Sequence, residues 1–259
     1  MSFLAVVLLA LIQGITEFLP VSSSGHLALG GLLLRVPQED IVFEVVVHTG
    51  TLMAVLAVYW KDIAALVRGV FSGDRGSLGL AGLLVLASIP AAMAGYFLED
   101  GITSFFRSPL AVSCFLILTG TVLFTTRFMK AGDRKIPTPR GSLLVGFAQA
   151  MALLPGISRS GFTISAGLFS GIRRQEAARF SFLLSIPAIS GAAFLKLGEA
   201  GSGDTAPLLL LVGFAVSAVT GYISLRLLLR FLRAGRFSSF AWYCWFLGLA
   251  GLVLSLRGG

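Results

Sequence analysis

The sequence has few charged residues for its length. Only 12% of its 259 residues are Asp, Glu, Lys or Arg, whereas soluble domains average about 25%. Hydrophobic residues make up 56% of the chain, so the polar residues are too few to cover a water-facing surface. A disordered chain is also excluded, because disordered chains are poor in apolar residues. The composition therefore predicts an integral membrane protein.

Cysteine is scarce as well. The two cysteines, Cys114 and Cys244, lie within long apolar stretches and form no motif with each other or with a histidine. A zinc site built from Glu17, His26, Glu44 and His48 is conceivable, but no zinc-type spacing supports it. We therefore interpret both cysteines as packing residues.

Six apolar runs are long enough to cross a bilayer, which takes about 20 residues. They cover residues 43–60, 80–98, 109–126, 180–197, 207–229 and 240–256. Two further apolar regions, 3–34 and 143–169, are interrupted near the middle by proline, serine and glycine. Non-helical backbone at membrane depth is tolerated only where protein covers it or it lines a wet cavity. We therefore predict two re-entrant helix-loop-helix hairpins in these regions.

Basic residues collect in four of the connections. Most of the 20 Lys and Arg residues follow the first, third and fifth spans or precede the fourth. Because Lys and Arg are enriched in cytoplasmic loops, these connections are expected on the cytoplasmic side and both termini outside. This topology accounts for the net charge of +8, so no nucleic-acid partner is expected.

The two interrupted regions resemble each other. Residues 13–25 read QGITEFLPVSSSG and residues 149–161 read QAMALLPGISRSG. Three spans follow each region, an odd number, so the second copy is expected to insert upside down. We predict an all-α integral membrane protein with an inverted-topology repeat, in which 1–130 and 141–257 are the two halves of one membrane domain, 1–259. Chance similarity or a shared turn chemistry is the alternative.

Ionisable residues at membrane depth are costly and often functional. Glu17, His26 and Arg159 fall in the interrupted regions, and Gln13 precedes Glu17 by four residues, which puts both on one helix face. The structural alternatives are a Glu17 carboxylate bonded to backbone N–H groups and a His26 ring satisfied in the interior. Glu44 shares a helix face with His48 and could extend the site, although a helix N-terminus by itself favours a carboxylate.

Hydroxyl groups cluster in the same two regions. They belong to Ser22, Ser23, Ser24, Ser158, Ser160 and Thr163. Serines directly before a helix can cap it, but the same place offers backbone N–H groups and the positive end of a helix dipole to an anion. Arg159 beside such a site suits a phosphate, because its guanidinium donates paired hydrogen bonds. A structural ion pair with Glu17 is its alternative role.

Two longer segments carry a family resemblance. QGITEFLPVSSSGHL at 13–27 and LLPGISRSGFTISAGL at 153–168 resemble the signatures of the bacterial undecaprenyl pyrophosphate phosphatases, also known for bacitracin resistance. FEVVVHTGTL near residue 43 and FSFLLSIPAISGA near residue 180 agree with that family too. The first signature contributes Gln13 and Glu17 as an acidic/amide motif and Ser22, Ser23 and His26 as a serine-histidine element. The second contributes a phosphate-binding loop, namely Ser158, Arg159, Ser160 and Thr163.

The resemblance implies hydrolysis of a polyprenyl pyrophosphate to the monophosphate, which recycles the carrier lipid of cell-wall synthesis at the outer face of the bacterial inner membrane. Catalytic roles are expected for Glu17, Ser23, His26 and Arg159, with Ser24 among the substrate-binding hydroxyls. The nucleophile is Ser23 or a water, activated by His26 or Glu17. Glu17, with Gln13, is expected to bind a divalent cation, Mg²⁺ or Ca²⁺, that bridges phosphate oxygens.

Transport is the alternative function. Inverted repeats with interrupted helices are typical of transporters, so a lipid-phosphate transporter or flippase could use the same cavity. A purely structural scaffold explains poorly why polar residues gather in two related segments. The sequence leaves open whether the chain is a monomer or a homodimer, which lipid length it prefers and which metal it uses.

Overall fold

The computed structural model describes residues 1–33, 41–129, 132–199 and 205–257. Within these ranges the regular secondary structure is helical, with eleven α-helices, two single turns of 3-10 helix and no extended strand. Residue 34, the end of the first interrupted region, and residue 130, the end of the predicted first half, lie outside the described residues. The prediction of an all-α protein is confirmed for the part of the chain that is described.

The helices are named here in chain order. They are α1 (Phe3–Thr16), α2 (Ser23–Leu33), α3 (Ile41–Phe71), α4 (Arg75–Phe97), α5 (Glu99–Phe106), α6 (Pro109–Thr125), α7 (Pro139–Met151), α8 (Arg159–Phe169), α9 (Arg174–Glu199), α10 (Pro207–Arg233) and α11 (Phe240–Arg257). Among the described residues six helices are long and apolar enough to cross a membrane, namely α3, α4, α6, α9, α10 and α11. They correspond one to one to the six predicted spans, so the chain is a multi-pass membrane protein.

Two helical features differ from the predicted spans. The apolar run ends at residue 60, but α3 continues to Phe71 after a bend at Tyr59, where φ is −104° and ψ is 17°. Charged residues end a hydropathy run without ending a helix. In the extension beyond residue 60, the carboxylate of Asp62 is paired with Arg179, with Asp62 Oδ1 and Arg179 Nε 2.7 Å apart. The short helix α5 was not predicted, although Glu99 and Asp100 in its first turn are typical of a helix N-terminus.

Helices α3 and α9 pack side by side in opposite directions. Asp62 of α3 pairs with Arg179 near the start of α9, and Glu44 near the start of α3 pairs with Lys196 near the end of α9. The connections before α7 and α9 are joined by backbone hydrogen bonds between Arg134 and the segment from Gly171 to Arg173. The basic connections that follow the first and third spans and precede the fourth therefore lie together at one end of the helix bundle.

Four helices are too short to cross a bilayer alone. The first helical pair, α1 and α2, has 14 and 11 residues, and the second helical pair, α7 and α8, has 13 and 11. At 1.5 Å per residue these helices are about 17–21 Å long, against about 30 Å of hydrocarbon. In each pair the two helices pack on each other and are joined by a turn. These turns, residues 17–22 and 152–158, are called the first turn and the second turn.

Glycine allows α10 to pack closely against α1 and α3. A Cβ on Gly50 of α3 would overlap the Ser217 hydroxyl and lie 2.6 Å from the carbonyl oxygen of Phe214. The hydroxyl of Ser224 on α10 donates to the carbonyl oxygen of Gly14 on α1 at 2.6 Å. Helices in lipid associate through such close packing and interhelical hydrogen bonds, because the hydrophobic effect does not favour helix–helix contacts over contacts with lipid tails.

We expect Gly50→Ala to lower the free energy of unfolding by about 1–3 kcal/mol, because the added methyl group overpacks this interface. Thermal unfolding in detergent measures the effect. Gly79→Ala on α4 is the matched control, since its Cβ would meet no atom within 4 Å and alanine is the better helix former. Equal melting temperatures for the two variants would contradict the packing interpretation.

Candidate active site

A cavity of about 230 Å³ lies where the two turns meet. The ends of α3, α5 and α9 that lie away from the basic connections complete its wall. Its polar lining consists of Glu17, Ser23, Ser24, Glu44, His48, Ser158, Arg159 and Lys196. Several of the predicted site residues, which are far apart in the sequence, thus line one space, beside the ends of α3 and α9 that lie away from the basic connections.

Glu17 is the centre of the polar contacts. Its side chain is 5% exposed and forms an ion pair with Arg159 through Oε1. Its other oxygen, Oε2, accepts hydrogen bonds from Gln13 Nε2 at 2.9 Å and Ser23 Oγ at 2.7 Å. His48 Nε2 lies 4.0 Å from the same oxygen. Both helical pairs therefore contribute donors to one buried carboxyl group, and α3 places His48 beside it.

Ser22 shapes the first turn. Its backbone has φ +69°, a left-handed conformation that redirects the chain into α2. The Ser22 hydroxyl accepts the N–H of Gly25 at 3.3 Å, and also the N–H of Gly156 in the second turn at 3.1 Å. Ser22 therefore caps α2 and links the two turns, which leaves Ser23 as the hydroxyl that faces Glu17.

The second turn is held by α6. Thr119 Oγ1 donates to the carbonyl oxygen of Gly156 at 2.9 Å and accepts the N–H of Ser158 at 3.2 Å. Gly156 has φ +101°, and a side chain there would collide with the backbone of Val112. The Ser158 hydroxyl accepts the N–H of Gly161 at 3.1 Å and caps α8. Arg159 thus becomes the first residue of α8, at the positive end of the helix dipole.

Some predicted site residues lie behind the cavity wall. The Ser160 hydroxyl is 3.2 Å from that of Ser158, so it contacts the second turn. The Thr163 hydroxyl donates to the carbonyl oxygen of Arg159 at 2.6 Å and lies 2.6 Å from the hydroxyl of Ser181. Gln13 and Ser22 also contact lining residues, Glu17 and Ser24 respectively, without lining the cavity. These side chains support the turns that present Glu17 and Arg159.

His26 does not line the cavity. Its Nδ1 lies 2.7 Å from the carbonyl oxygen of Ser22, and its Nε2 lies 2.7 Å from the Tyr243 hydroxyl on α11. The two rings are stacked, with centroids 5.7 Å apart. The histidine next to Glu17 is instead His48, whose Nδ1 lies 2.8 Å from the carbonyl oxygen of Glu44.

Lys196 is the lining residue that sequence reasoning missed. Its Nζ lies 3.0 Å from Glu44 Oε1. In the sequence Lys196 lies near the end of an apolar span, with no motif around it. The signal that could have identified it is that Lys196 and Glu44 are charged residues of opposite sign within two different predicted spans. Only the packing of α3 against α9 brings these residues to the cavity.

Two polar atoms next to Glu17 have no hydrogen-bond partner within the described part of the chain. Gln13 Oε1 is a buried acceptor and Arg159 Nη1 is a buried donor. Among the described residues no three His, Cys, Asp or Glu side chains are grouped closely enough to hold a metal ion. A cation at the Glu17 carboxylate would therefore find an unpaired amide oxygen behind the cavity wall, and an anion would find a guanidinium donor.

Comparison with known proteins identifies relatives over nearly the full length. The family described as bacitracin resistance protein BacA matches residues 6–250. An undecaprenyl-diphosphatase of Trichlorobacter lovleyi is 46% identical over 94% of this chain and 93% of its own length. Proteins of the same name from Desulforapulum autotrophicum and Methanosphaera stadtmanae are 41% and 36% identical, and each match covers at least 95% of both chains.

A double-mutant cycle tests the pair at the centre of the cavity. We expect Glu17→Gln and Arg159→Gln each to lower the free energy of unfolding by on the order of 3 kcal/mol, because each leaves a buried charge unpaired. The free energy of unfolding lost in the double variant should be smaller than the sum of the losses in the two single variants, by at least about 1 kcal/mol. Thermal unfolding in detergent provides the measurement.

The control cycle uses Asp62→Asn and Arg179→Gln. Both side chains of this pair are about one-third exposed, so a coupling below about 1 kcal/mol is expected. Additive losses at Glu17 and Arg159 would contradict a coupled pair.

Proposed function

The chain belongs to the bacitracin resistance protein BacA family and hydrolyses undecaprenyl pyrophosphate to the monophosphate and phosphate; we propose that the cavity at Glu17 is the active site. The observation that carries this proposal is the convergence of Ser23, Glu17 and Arg159 from the two helical pairs. Phosphoryl transfer needs mainly positioning and charge stabilisation, and these three residues supply a hydroxyl, a carboxylate and a guanidinium side by side.

Arg159 binds the terminal phosphate in this proposal. Its Nη1 is a free donor beside the cavity, and charge-assisted hydrogen bonds from arginine to phosphate are strong. The N-terminal N–H groups of α8 add the positive end of the helix dipole. Ser24 and Ser158 line the same space and provide hydroxyl donors, while Ser22, Ser160 and Thr163 hold the two turns in place.

Ser23 is the proposed nucleophile and Glu17 its general base. The Ser23 hydroxyl already donates to Glu17 Oε2 at 2.7 Å, which is the geometry required for proton transfer. Ser23 Oγ bonds to the terminal phosphorus, its proton passes to Glu17, and the bridging P–O bond breaks to release the lipid monophosphate. Glu17 passes this proton to the departing lipid monophosphate and is ionised again. Water then attacks the phosphoserine, Glu17 takes a proton from that water and gives it to Ser23 Oγ, and phosphate leaves as the serine hydroxyl forms again.

His26 acts as a positioning residue in this mechanism. Its two ring nitrogens face the carbonyl oxygen of Ser22 and the hydroxyl of Tyr243, so neither is directed at the cavity. It therefore holds the first turn against α11, next to the left-handed Ser22. Of the two bases that the sequence allowed, the contacts favour Glu17.

A divalent cation, Mg²⁺ or Ca²⁺, fits beside Glu17 only if the substrate completes its coordination. Oxygen is the ligand that both ions prefer, and Mg²⁺ is often held by one or two carboxylates together with phosphates. Glu17 and the free Oε1 of Gln13 are the residues that would hold it. When bound, such a cation offsets the negative charge of the two phosphates.

The two helical pairs are proposed to be re-entrant hairpins related by an inverted repeat. Gln13 and Gln149 are both buried near the end of the first helix of their pair. Helix α1 of the first half packs on α10 of the second half, and α7, the counterpart of α1, packs on α4, the counterpart of α10. An inverted repeat requires this reciprocal packing. On this basis the first half, 1–130, and the second, 141–257, form one domain.

The cavity is proposed to open to the periplasmic side of the inner membrane. It lies at the end of α3 and α9 away from the basic connections, and basic connections favour the cytoplasm. The lipid tail can then stay in the bilayer while its pyrophosphate enters from the outer leaflet. The relatives are named for hydrolysis, so transport as the alternative function is not favoured.

Ser23→Ala tests the nucleophile. We expect phosphate release from a polyprenyl pyrophosphate to fall at least about a thousandfold, as loss of a nucleophile does in other covalent enzymes. A phosphoserine trapped by rapid acid quench should map to residue 23. Ser88→Ala on α4 is the control, because that hydroxyl bonds only within its own helix. Wild-type activity in Ser23→Ala would exclude the covalent route.

Chelation tests the cation. We expect a chelator to abolish phosphate release and added Mg²⁺ or Ca²⁺ to restore it, because the two phosphates lose their counter-charge without the ion. In Gln13→Ala the cation concentration for half-maximal rate should rise about tenfold or more through loss of one ligand. Gln149→Ala, its counterpart in the second pair, should leave that concentration unchanged. Full activity in chelator would contradict a cation requirement.

A further inference from the structure

Two positively charged side chains line the cavity at different depths. Arg159 lies at the inner end with Glu17, and its side chain is 19% exposed. Lys196 lies at the outer end with Glu44, and these two side chains are 44% and 42% exposed. Both cations line the same cavity. A pyrophosphate also has two charged groups, one transferred and one that stays on the lipid.

The two ion pairs differ in how easily they exchange partners. The Glu17 carboxylate also accepts hydrogen bonds from Gln13 and Ser23, so its pair with Arg159 belongs to a buried network. The pair of Lys196 and Glu44 is half-exposed, and such pairs contribute only about 0–1 kcal/mol. Lys196 can therefore leave Glu44 for a phosphate at little cost.

His48 lies between the ion pair of Glu17 with Arg159 and the ion pair of Glu44 with Lys196. Its Nδ1 contacts the backbone carbonyl of Glu44, and its Nε2 lies 4.0 Å from Glu17 Oε2. Glu44 and His48 are four residues apart on α3, which is about 6 Å along the helix axis. One pyrophosphate lying along this part of α3 can place one phosphate at each level.

The position of the proposed nucleophile decides which phosphate lies at which level. Ser23 and Arg159 contact Glu17 at the inner end, so the terminal phosphate, which Ser23 attacks, lies there. The phosphate that stays on the lipid then lies nearer the mouth, where Lys196 is the second cationic side chain of the cavity lining.

We propose that Lys196 binds the lipid-linked phosphate and stabilises the monophosphate as it leaves. When the bridging P–O bond breaks, negative charge develops on the lipid-linked phosphate, and an ammonium group beside it lowers the energy of that transition state. Glu44 holds Lys196 at the mouth of the cavity until the substrate replaces it. This assignment rests on the proposed function of the cavity and adds the site of the leaving group.

Product inhibition tests the assignment, with farnesyl diphosphate as substrate and phosphate release as readout. In Lys196→Gln we expect kcat/KM to fall about tenfold or more, and the inhibition constant of farnesyl monophosphate to rise by a similar factor, because a hydrogen bond from a charged group is lost. The inhibition constant of inorganic phosphate should change less than about twofold, because this ion binds at Arg159. Lys196→Arg should recover most of the monophosphate affinity.

Lys61→Gln is the matched control for loss of one positive charge, because Lys61 is exposed on α3 and does not line the cavity. Glu44→Gln should tighten inhibition by farnesyl monophosphate, since it removes the competitor for Lys196. Equal effects of Lys196→Gln and Lys61→Gln, or equal changes for both inhibitors, would overturn the assignment. Wild-type phosphate release by Glu17→Gln in the same assay would instead refute the proposed function of the cavity.

Discussion

The ion pair of Glu17 and Arg159 is the interaction on which the candidate site depends. A lone charge at membrane depth is costly, and removing one partner of a buried pair leaves the other uncompensated. The pair joins the first helical pair to the second, two elements about 140 residues apart in the chain. The bond from the N–H of Gly156 to the Ser22 hydroxyl joins the same two turns. Each turn thus satisfies polar groups that the other would leave buried without a partner.

This arrangement explains how a short polar segment persists inside an apolar bundle. Ser158 caps α8, and Thr119 of α6 satisfies both an N–H and a carbonyl group of the second turn. The first turn is held by Ser22 and, through His26, by Tyr243 of α11. Because the backbone groups are satisfied by neighbouring protein, the breaks between the helices of each pair are tolerated within the bundle. The side chains that face the cavity are then free for a ligand.

The predictions from sequence were most successful where one physical property dominates. Six spans follow from hydropathy, since about 20 apolar residues have few alternatives to crossing a bilayer. Helix boundaries were predicted less accurately, because the extension of α3 beyond residue 60 depends on an ion pair between Asp62 and Arg179 of another helix. The ranking of His26 above His48 was limited for the same reason. Local spacing favoured His26, which follows the serine motif, whereas packing puts His48 next to Glu17.

The sequence by itself determined the solvent, the number of spans, the family signatures and the residue types available for phosphate chemistry, because these follow from composition and local pattern. The tertiary structure decided which of those residues share the cavity. Ser23, Glu17 and Arg159 face one another, Ser160 and Thr163 support the second turn from behind, and Lys196 joins the cavity through α9. The physical reason is that ion pairs and hydrogen bonds act over about 3–4 Å in space, a distance that helix packing sets and separation along the chain does not.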